Sequence, residues 1–165
     1  MKQANSRGDV PSDYGVVDVF CLVKTTSAQS IPNNTLTTVT FHQAIEDTLG
    51  MWDGATKITM PAVLRGDALN LCIIGFGNWA ANATGRRRNQ IRINGTDTLM
   101  PQHYMRAPAT DIAAIPGWAM MNKIIYPAPH WVLGSTYFEF RVLQTSGAAL
   151  NLDANSIFLV SAIPL

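Results

Sequence analysis

The segment TYFEFRVLQT, residues Thr136–Thr145, alternates apolar and charged side chains residue by residue. The two sets are the apolar Phe138, Phe140 and Val142 and the charged Glu139 and Arg141. Successive side chains of a β-strand point to opposite faces of its sheet. The pattern therefore predicts a strand with one face in a core and the other in water.

Similar short runs occur along the chain, separated by clusters of Gly, Pro, Asn and Thr. Ala68–Ala80 is apolar on both faces, which is typical of a central strand covered on both sides. Ile91 and Ile93 precede Asn94-Gly95, a strong hairpin signal. We predict further strands at Tyr14–Lys24, Thr35–His42, Lys57–Val63, Trp118–Tyr126 and Ser156–Ile163. About eight strands predict an all-β, two-sheet jelly-roll β-sandwich, with a turn at Glu46–Gly54, a break at Ser30–Asn34 and mostly loop at Thr98–Pro116.

The 165 residues fit one domain, which we place at residues 14–165. Residues 1–13 are polar and predict a short flexible N-terminal arm that becomes ordered against a partner. This arm has no signal-peptide core, and the longest apolar stretch, Leu69–Ala81, is too short to span a bilayer. We therefore expect synthesis in the cytoplasm and no membrane association.

Composition limits the classes of partner. Charged residues make up 14% of the chain and apolar residues 47%. Either a neighbouring subunit covers part of the surface, or the protein is a monomer with an uncharged polar surface, and composition does not choose between them. The formal net charge of +1 argues against nucleic acid, which usually needs Lys and Arg clustered over a whole face.

The sequence contains no recognisable catalytic or metal-binding pattern. His42, His103 and His130 lack metal-ligand spacing, and no Gly-x-Ser-x-Gly elbow or phosphate loop is present. Glu46, Asp47 and Asp53 are close in sequence, but no such motif accompanies them. We expect no enzyme, no catalytic residue, no metal and no cofactor.

Cys21 and Cys72 both lie in apolar runs, which predicts buried thiols, or one disulfide if their strands are neighbours. The aromatic residues are expected mostly in the core or a subunit interface, although they could form a carbohydrate platform. These residues are Trp52, Trp79, Trp118, Trp131, Tyr104, Tyr126 and Tyr137.

The candidate partner-binding residues are Arg86, Arg87 and Arg88, which we place in a loop before a strand, together with Arg7 and Asp9 of the N-terminal arm. Arg forks pair well with carboxylates, so the cluster could bind an acidic surface on a neighbouring protein. A solvated loop that keeps the protein soluble is the alternative. Arg7-Gly8-Asp9 and Arg65-Gly66-Asp67 resemble an integrin-binding motif, but without an export signal chance explains them better.

From Phe20 onward, four features occur in a characteristic order: Ile31-Pro32-Asn33-Asn34-Thr35, Gly50-Met51-Trp52-Asp53, Ile91-Arg92-Ile93-Asn94-Gly95, and Phe158 followed by aliphatic residues. This order resembles the trimeric jelly rolls of the tumour necrosis factor and complement globular-head type. It is also similar to jelly-roll modules of bacteriophage virion proteins. The resemblance implies a homotrimer, with one sheet of each sandwich packed around a central axis.

The leading functional expectation is a virion structural protein on the capsid surface of a tailed bacteriophage. In this role, a trimeric decoration or cement protein binds the major capsid protein and stabilises the shell. The alternative is the receptor-binding head of a tail fibre, which would recognise a cell-surface glycan or protein.

Overall fold

The structure is a computed structural model that describes residues 19–61, 69–97, 103–106, 115–125 and 134–164. Its strands, in chain order, are β1 (Val19–Lys24), β2 (Gln29–Ile31), β3 (Thr37–Thr38), β4 (Gln43–Asp47), β5 (Lys57–Thr59), β6 (Leu69–Trp79), β7 (Arg86–Ile93), β8 (Thr96–Asp97), β9 (His103–Arg106), β10 (Ile115–Ile125), β11 (Tyr137–Gln144), β12 (Leu150–Leu152) and β13 (Ile157–Pro164). They form two sheets of antiparallel pairs, which confirms the predicted all-β jelly-roll sandwich. Within these ranges, no helix is long and apolar enough to cross a membrane.

Sheet A has the strand order β2-β12-β6-β13-β1-β4, and β10 also pairs with β6. Strand β6 is hydrogen-bonded to β13 along one edge and to β10 along the other. The prediction of a central strand at Ala68–Ala80 is therefore confirmed for Leu69–Trp79. Strand β13 lies between β1 and β6, so the two ends of the described chain meet in the middle of this sheet.

Sheet B has the order β3-β11-β7-β8, with β5 also paired to β11 and β9 also paired to β7. Residues Tyr137–Gln144 form its central strand β11, and the predicted inward face is confirmed, but Glu139, which was predicted to face water, is only 6% exposed. Phe138, Phe140 and Val142 are fully buried. Their neighbours Tyr137 and Arg141 keep part of their surface in solvent.

The core lies between the two sheets and is built around a stack of three aromatic rings. The ring centroid of Phe158, from sheet A, is 5.9 Å from that of Phe140, from sheet B. The ring of Phe41 also stacks on Phe158, with the same distance of 5.9 Å between the centroids. Stacked aromatic pairs bury large areas and add about 0.5–1.5 kcal/mol beyond the area itself. These two ring contacts hold the sheets together at the centre of the sandwich.

The predicted hairpin at Asn94-Gly95 is confirmed, because it joins β7 to β8. Both turn residues have positive φ, 48° for Asn94 and 75° for Gly95. A type I′ turn needs this conformation at both central positions, and Asn followed by Gly adopts it at the lowest cost.

The single strand predicted at Thr35–His42 is wrong. The structure has β3 at Thr37–Thr38 and β4 at Gln43–Asp47, the latter reaching into the segment predicted as a turn. The chain between them crosses from one sheet to the other. The amide of Val39 donates to Phe140 in sheet B, and that of His42 donates to Lys24 in sheet A. Because buried and exposed side chains alternate along this crossing, its sequence has the pattern of one continuous strand.

Short strands were also missed. Strand β2 begins at Gln29, extends into the predicted break at Ser30–Asn34, and ends where Pro32 follows. Strands β9 and the start of β10 occupy part of Thr98–Pro116, predicted as mostly loop. These strands of a few residues exist because distant partners complete their hydrogen bonds, β12 for β2 and β7 for β9. The proposed arm, residues 1–13, lies outside the described residues.

Candidate interaction surfaces

The prediction that the three consecutive arginines lie in a loop is wrong, because they are the first three residues of strand β7. Residue 86 pairs with Arg106 of β9, and the strand continues to Ile93. Because side chains alternate along a strand, the three arginines cannot act as one cluster. Arg86 and Arg88 point away from the core, and Arg87 points into it with 2% of its surface exposed.

Arg87 is a structural residue. Its guanidinium donates to the carbonyl of Thr84 at 2.7 Å and to that of Asn82 at 2.9 Å. It also lies over the ring of Trp79, with 5.9 Å to the ring centroid. Burial lowers the pKa of Arg87. Arg87 therefore fixes the loop between β6 and β7 from inside the sandwich, and it is not available to a partner.

The outward side of sheet B carries a group of cations that we name the basic face: Lys57, Arg86, Arg88, Arg92 and Arg141. These come from three adjacent strands, β5, β7 and β11, and share the parity that points away from the core. Along β7, the positions of Arg86, Arg88 and Arg92 alternate with core positions, so neighbouring outward positions are about 7 Å apart. The sheet thus collects cations that are scattered in the sequence.

One carboxylate lies within the basic face, that of Glu139 on β11. Arg92 donates to it at 3.4 Å across the β7–β11 pair. Lys57 on β5 is the register partner of Glu139 on its other side, and its Nζ atom lies 4.7 Å from the ring centroid of Tyr137. The five cations and Glu139 sum to +4, and since the chain is formally +1, the remainder carries −3.

Hydrogen bonds hold the arginines of the basic face in position. Arg141 donates to the carbonyl of Leu36 at 2.9 Å. Arg88 donates to the side-chain carbonyl of Gln90 at 2.7 Å. Held guanidinium groups lose less conformational entropy when they bind a partner. Gln90 and Glu139 point to the same side and are only 2% and 6% exposed, so the rest of the molecule encloses part of this side of sheet B.

The outward side of sheet A is different in character. Its three central strands, β1, β13 and β6, present apolar side chains that we name the apolar face: Phe20, Leu22, Cys72, Ile74, Phe76, Ile157, Leu159 and Ile163. Register places Leu22, Leu159 and Ile74 side by side in one row across the sheet. An outward row of aliphatic side chains is unusual on a sheet that faces water.

The large exposed hydrophobic residues among the described residues belong to the same sheet or border it. Ile163 on β13 is 43% exposed, and Ile45 on β4 is 53% exposed. Ile45 is the unpaired residue at the register shift between β4 and β1. Leu49, just after β4, is 37% exposed. Apolar surface is therefore concentrated on the sheet A side of the sandwich.

The two cysteines lie on neighbouring parts of sheet A but on opposite faces. Cys21 points into the core and is fully buried, whereas Cys72 belongs to the apolar face. Both are free thiols, so the predicted alternative of a disulfide between them is wrong. Burial, with a smaller contribution from Asp47, raises the pKa of Cys21 to about 12, and burial also raises the pKa of Cys72.

The acidic residues of the segment after β4 serve the backbone. Asp47 accepts hydrogen bonds from the amides of Met51 and Trp52, and Asp53 accepts from three amides between Ala55 and Lys57. Such carboxylates fix turns. Across the described ranges, no group of three or more His, Cys, Asp or Glu residues is placed to hold a metal ion.

Of the other predicted site residues, Arg7, Asp9 and Arg65–Asp67 lie outside the described residues. Among the aromatic residues, Trp79 is fully buried in the core and Trp52 packs against it. Sequence reasoning missed Lys57, Arg92 and Arg141 as members of one surface. Their signal was present, because each is the charged residue of an alternating strand, but only the strand pairing brings them together.

No protein-family model matches the sequence, and no curated protein matches it either. Solved structures do match. PRD1 vertex protein P5 aligns over 92% of this chain and 99% of its own, with a TM-score of 0.55 and 19% identity. Murine APRIL, of the tumour necrosis factor family, aligns over 89% and 99%, with a TM-score of 0.51 and 9% identity.

A third similar structure, latent PorU from Porphyromonas gingivalis, aligns over 90% of this chain but only 13% of its own, with a TM-score of 0.53 and 12% identity. At these levels of identity the shared property is the fold. The chain therefore has the jelly-roll fold of the tumour necrosis factor type, in a form that is also similar to a virion vertex protein.

Proposed function

We propose that this protein is a structural component of a tailed-bacteriophage virion, which assembles as a homotrimer and binds the capsid shell as a decoration or cement protein. The observation that carries the proposal is the contrast between the two outward surfaces of one sandwich. The apolar face of sheet A suits contact with copies of the same chain, and the basic face of sheet B suits a different partner.

The apolar face supports self-association. Burying apolar surface contributes roughly 25 cal/mol per Å², and the row formed by Leu22, Leu159 and Ile74 offers such surface without a charged residue between. Closed cyclic assemblies are the usual outcome when identical subunits associate. The likeness to the tumour necrosis factor fold supports a threefold arrangement, in which we place sheet A toward the axis. It would also account for the low charge content of the chain.

The capsid role is supported by the similarity to PRD1 vertex protein P5 across nearly the whole of both chains. A trimer presents three basic faces, so modest contacts with several capsid subunits add together where the geometry lets them engage simultaneously. Such a clamp stabilises a shell mechanically, because internal pressure must break all contacts at once. This role requires no catalysis, metal or cofactor, and the acidic side chains Asp47 and Asp53 are already engaged by the backbone.

A receptor-binding head is the second candidate. The description of P5 as a vertex protein favours it, because a vertex is a position from which a head could project toward a cell. In that case the loops at one end of the sandwich, and not the basic face, would contact a glycan or protein of the host.

Two measurements test the proposal. Native mass spectrometry should give three times the 18.0 kDa chain mass, and the protein should cosediment with empty capsids of its phage. A monomer at micromolar concentration would contradict the trimer. Binding on a glycan array, without cosedimentation, would replace the capsid role with the receptor role.

A further inference from the structure

The sequence contains one Asn-Gly dipeptide, Asn94-Gly95, and it forms the turn between β7 and β8. Asparagine followed by glycine is the dipeptide at which proteins deamidate most readily, because glycine leaves its own amide nitrogen unhindered. Asn94 is exposed, so water has access to its side chain. The hairpin therefore carries a chemically labile site whose reactivity depends on the conformation of the turn.

Deamidation begins with a ring closure within the chain. The amide nitrogen of Gly95 loses its proton to a base such as hydroxide and attacks Cγ of Asn94, and the side-chain nitrogen leaves as ammonia. The five-membered succinimide then takes up one water molecule and opens at either of its two carbonyl groups. The products are an ordinary aspartate or an isoaspartate at position 94.

The turn holds Asn94 in a backbone conformation that opposes this ring closure. Its φ of 48° lies in the left-handed region. In that region ψ is also positive, with a typical value of about 47°. At such a ψ, the nitrogen of the next residue lies on the opposite side of the Cα–C bond from Cβ. Ring closure needs both atoms on the same side, because the nitrogen of Gly95 has to reach Cγ.

Two hydrogen bonds to one residue hold Asn94 in this conformation. The amide of Asn94 donates to the carbonyl of Tyr137 at 3.0 Å, and the amide of Tyr137 donates to Oδ1 of Asn94 at 2.9 Å. The backbone and the side chain of Asn94 are thus both fixed to the start of strand β11. A rotation that brings Cγ to the nitrogen of Gly95 therefore requires a local opening of the hairpin.

We propose that Asn94 is a deamidation site which is protected in the closed hairpin and reacts only in molecules whose β7–β8 hairpin has separated from Tyr137. Hydrolysis of the ring is irreversible, so the modification accumulates and records how often the hairpin opens. The proposal concerns the chain itself and is independent of the proposed function.

The two products differ in their effect on the turn. An aspartate at position 94 keeps an oxygen that accepts from the amide of Tyr137. An isoaspartate sends the main chain through the former side chain and adds one carbon between positions 94 and 95, so a two-residue type I′ turn no longer fits. The variant Asn94→Asp should therefore melt within about 3 °C of wild type, whereas refolded chains that carry isoaspartate should melt about 5 °C lower or more.

The test incubates the full-length protein at mildly alkaline pH, both folded in buffer and unfolded in guanidinium chloride. Peptide mapping by mass spectrometry measures deamidation at position 94. The variant Thr96→Gly loosens the hairpin, because Thr96 is an exposed residue of β8 and glycine weakens a strand. The matched control is Thr40→Gly, the same change at an exposed residue of the crossing after β3. Melting temperatures verify that both variants are folded.

In folded wild type, position 94 should deamidate about tenfold more slowly than in the unfolded chain, or slower still, because only opened molecules react. Thr96→Gly should raise the folded rate about fivefold. Thr40→Gly should leave it within about twofold of wild type. Equal rates in folded and unfolded wild type would overturn the proposal without recourse to any variant. Equal rates in the two folded variants would overturn the opening of the hairpin as the route.

Discussion

The ring of Phe140 on sheet B lies directly against the Cα of Gly75 on sheet A. A Cβ at residue 75 would overlap the ring carbons Cδ2 and Cε2. The same ring stacks on Phe158, so it has little freedom to retreat. The absence of a side chain at Gly75 thus sets the spacing of the two sheets at the centre of the sandwich.

Gly75→Ala should destabilise the protein by about 1–3 kcal/mol, because the added methyl group overpacks a closed core. Chemical denaturation with fluorescence detection measures this change. Adding Phe140→Leu should recover part of the loss, since the smaller side chain makes room. Strictly additive effects of the two substitutions would show that the contact between Gly75 and Phe140 is not the cause.

Arg87→Lys should cost about 2–3 kcal/mol of unfolding free energy, because lysine cannot reproduce the two hydrogen bonds to Thr84 and Asn82. The control is Arg86→Lys, the adjacent exposed arginine, for which we expect a change within about 0.5 kcal/mol. Thermal melts of the two variants make the comparison. Equal stability of the two variants would refute the structural role of Arg87.

Leu159→Glu should dissociate the proposed trimer, because it places a carboxylate in the middle of the apolar face. Leu143→Glu is the matched control, since Leu143 occupies an outward, half-buried position on sheet B. Native mass spectrometry should find monomers for the first variant and trimers for the second. Trimers in both would place the subunit contact elsewhere.

The thiol of Cys72 reports on the same contact without disturbing it. In the wild-type assembly a bulky maleimide should label Cys72 slowly, and in the Leu159→Glu variant labelling should be faster, about tenfold or more. Cys21 should stay unlabelled in both, since it is enclosed in the core. The same labelling rate in both proteins would mean that Cys72 is not covered by a neighbouring subunit.

Cys21 should make the protein less stable at high pH. Its folded pKa of about 12 lies above its ordinary value of 9.0, so the unfolded chain releases this proton first. The stabilisation is complete below about pH 9 and is lost as the pH rises toward 12. Denaturation of wild type and Cys21→Ala across this range measures the effect. The stability advantage of wild type should shrink with pH, and a constant difference would contradict it.

The parts of the fold that were predictable from sequence are those in which one strand carries its own complete signal. Strand β11 alternates cleanly, β6 is apolar on both faces, and Asn94-Gly95 can adopt the turn that it forms. Strands of two to four residues had no comparable signal. Strand β2 depends on β12 for its hydrogen bonds, and the crossing after β3 looks like a strand because both sheets bury its side chains.

The candidate surfaces show the same division. Three consecutive arginines drew attention to residues 86–88, yet alternation along β7 sends Arg87 inward. The other arginines of the basic face are not adjacent to Arg88 in the sequence. Arg92 is separated from it by residues of other types, and Arg141 is distant in the chain. The expectation that nucleic acid is not a partner rested on net charge, which cannot reveal how a sheet sorts charges to one side.

Strand β13 fills the gap between β1 and β6, which has a consequence for how the chain acquires its structure. Neither β1 nor β6 has its neighbour along that edge until Ile157–Pro164 has emerged from the ribosome. Pairings this distant in sequence form slowly, because a long loop must close first. During synthesis the growing polypeptide therefore carries two sheet edges without their partner strand, and such edges can pair wrongly with other chains.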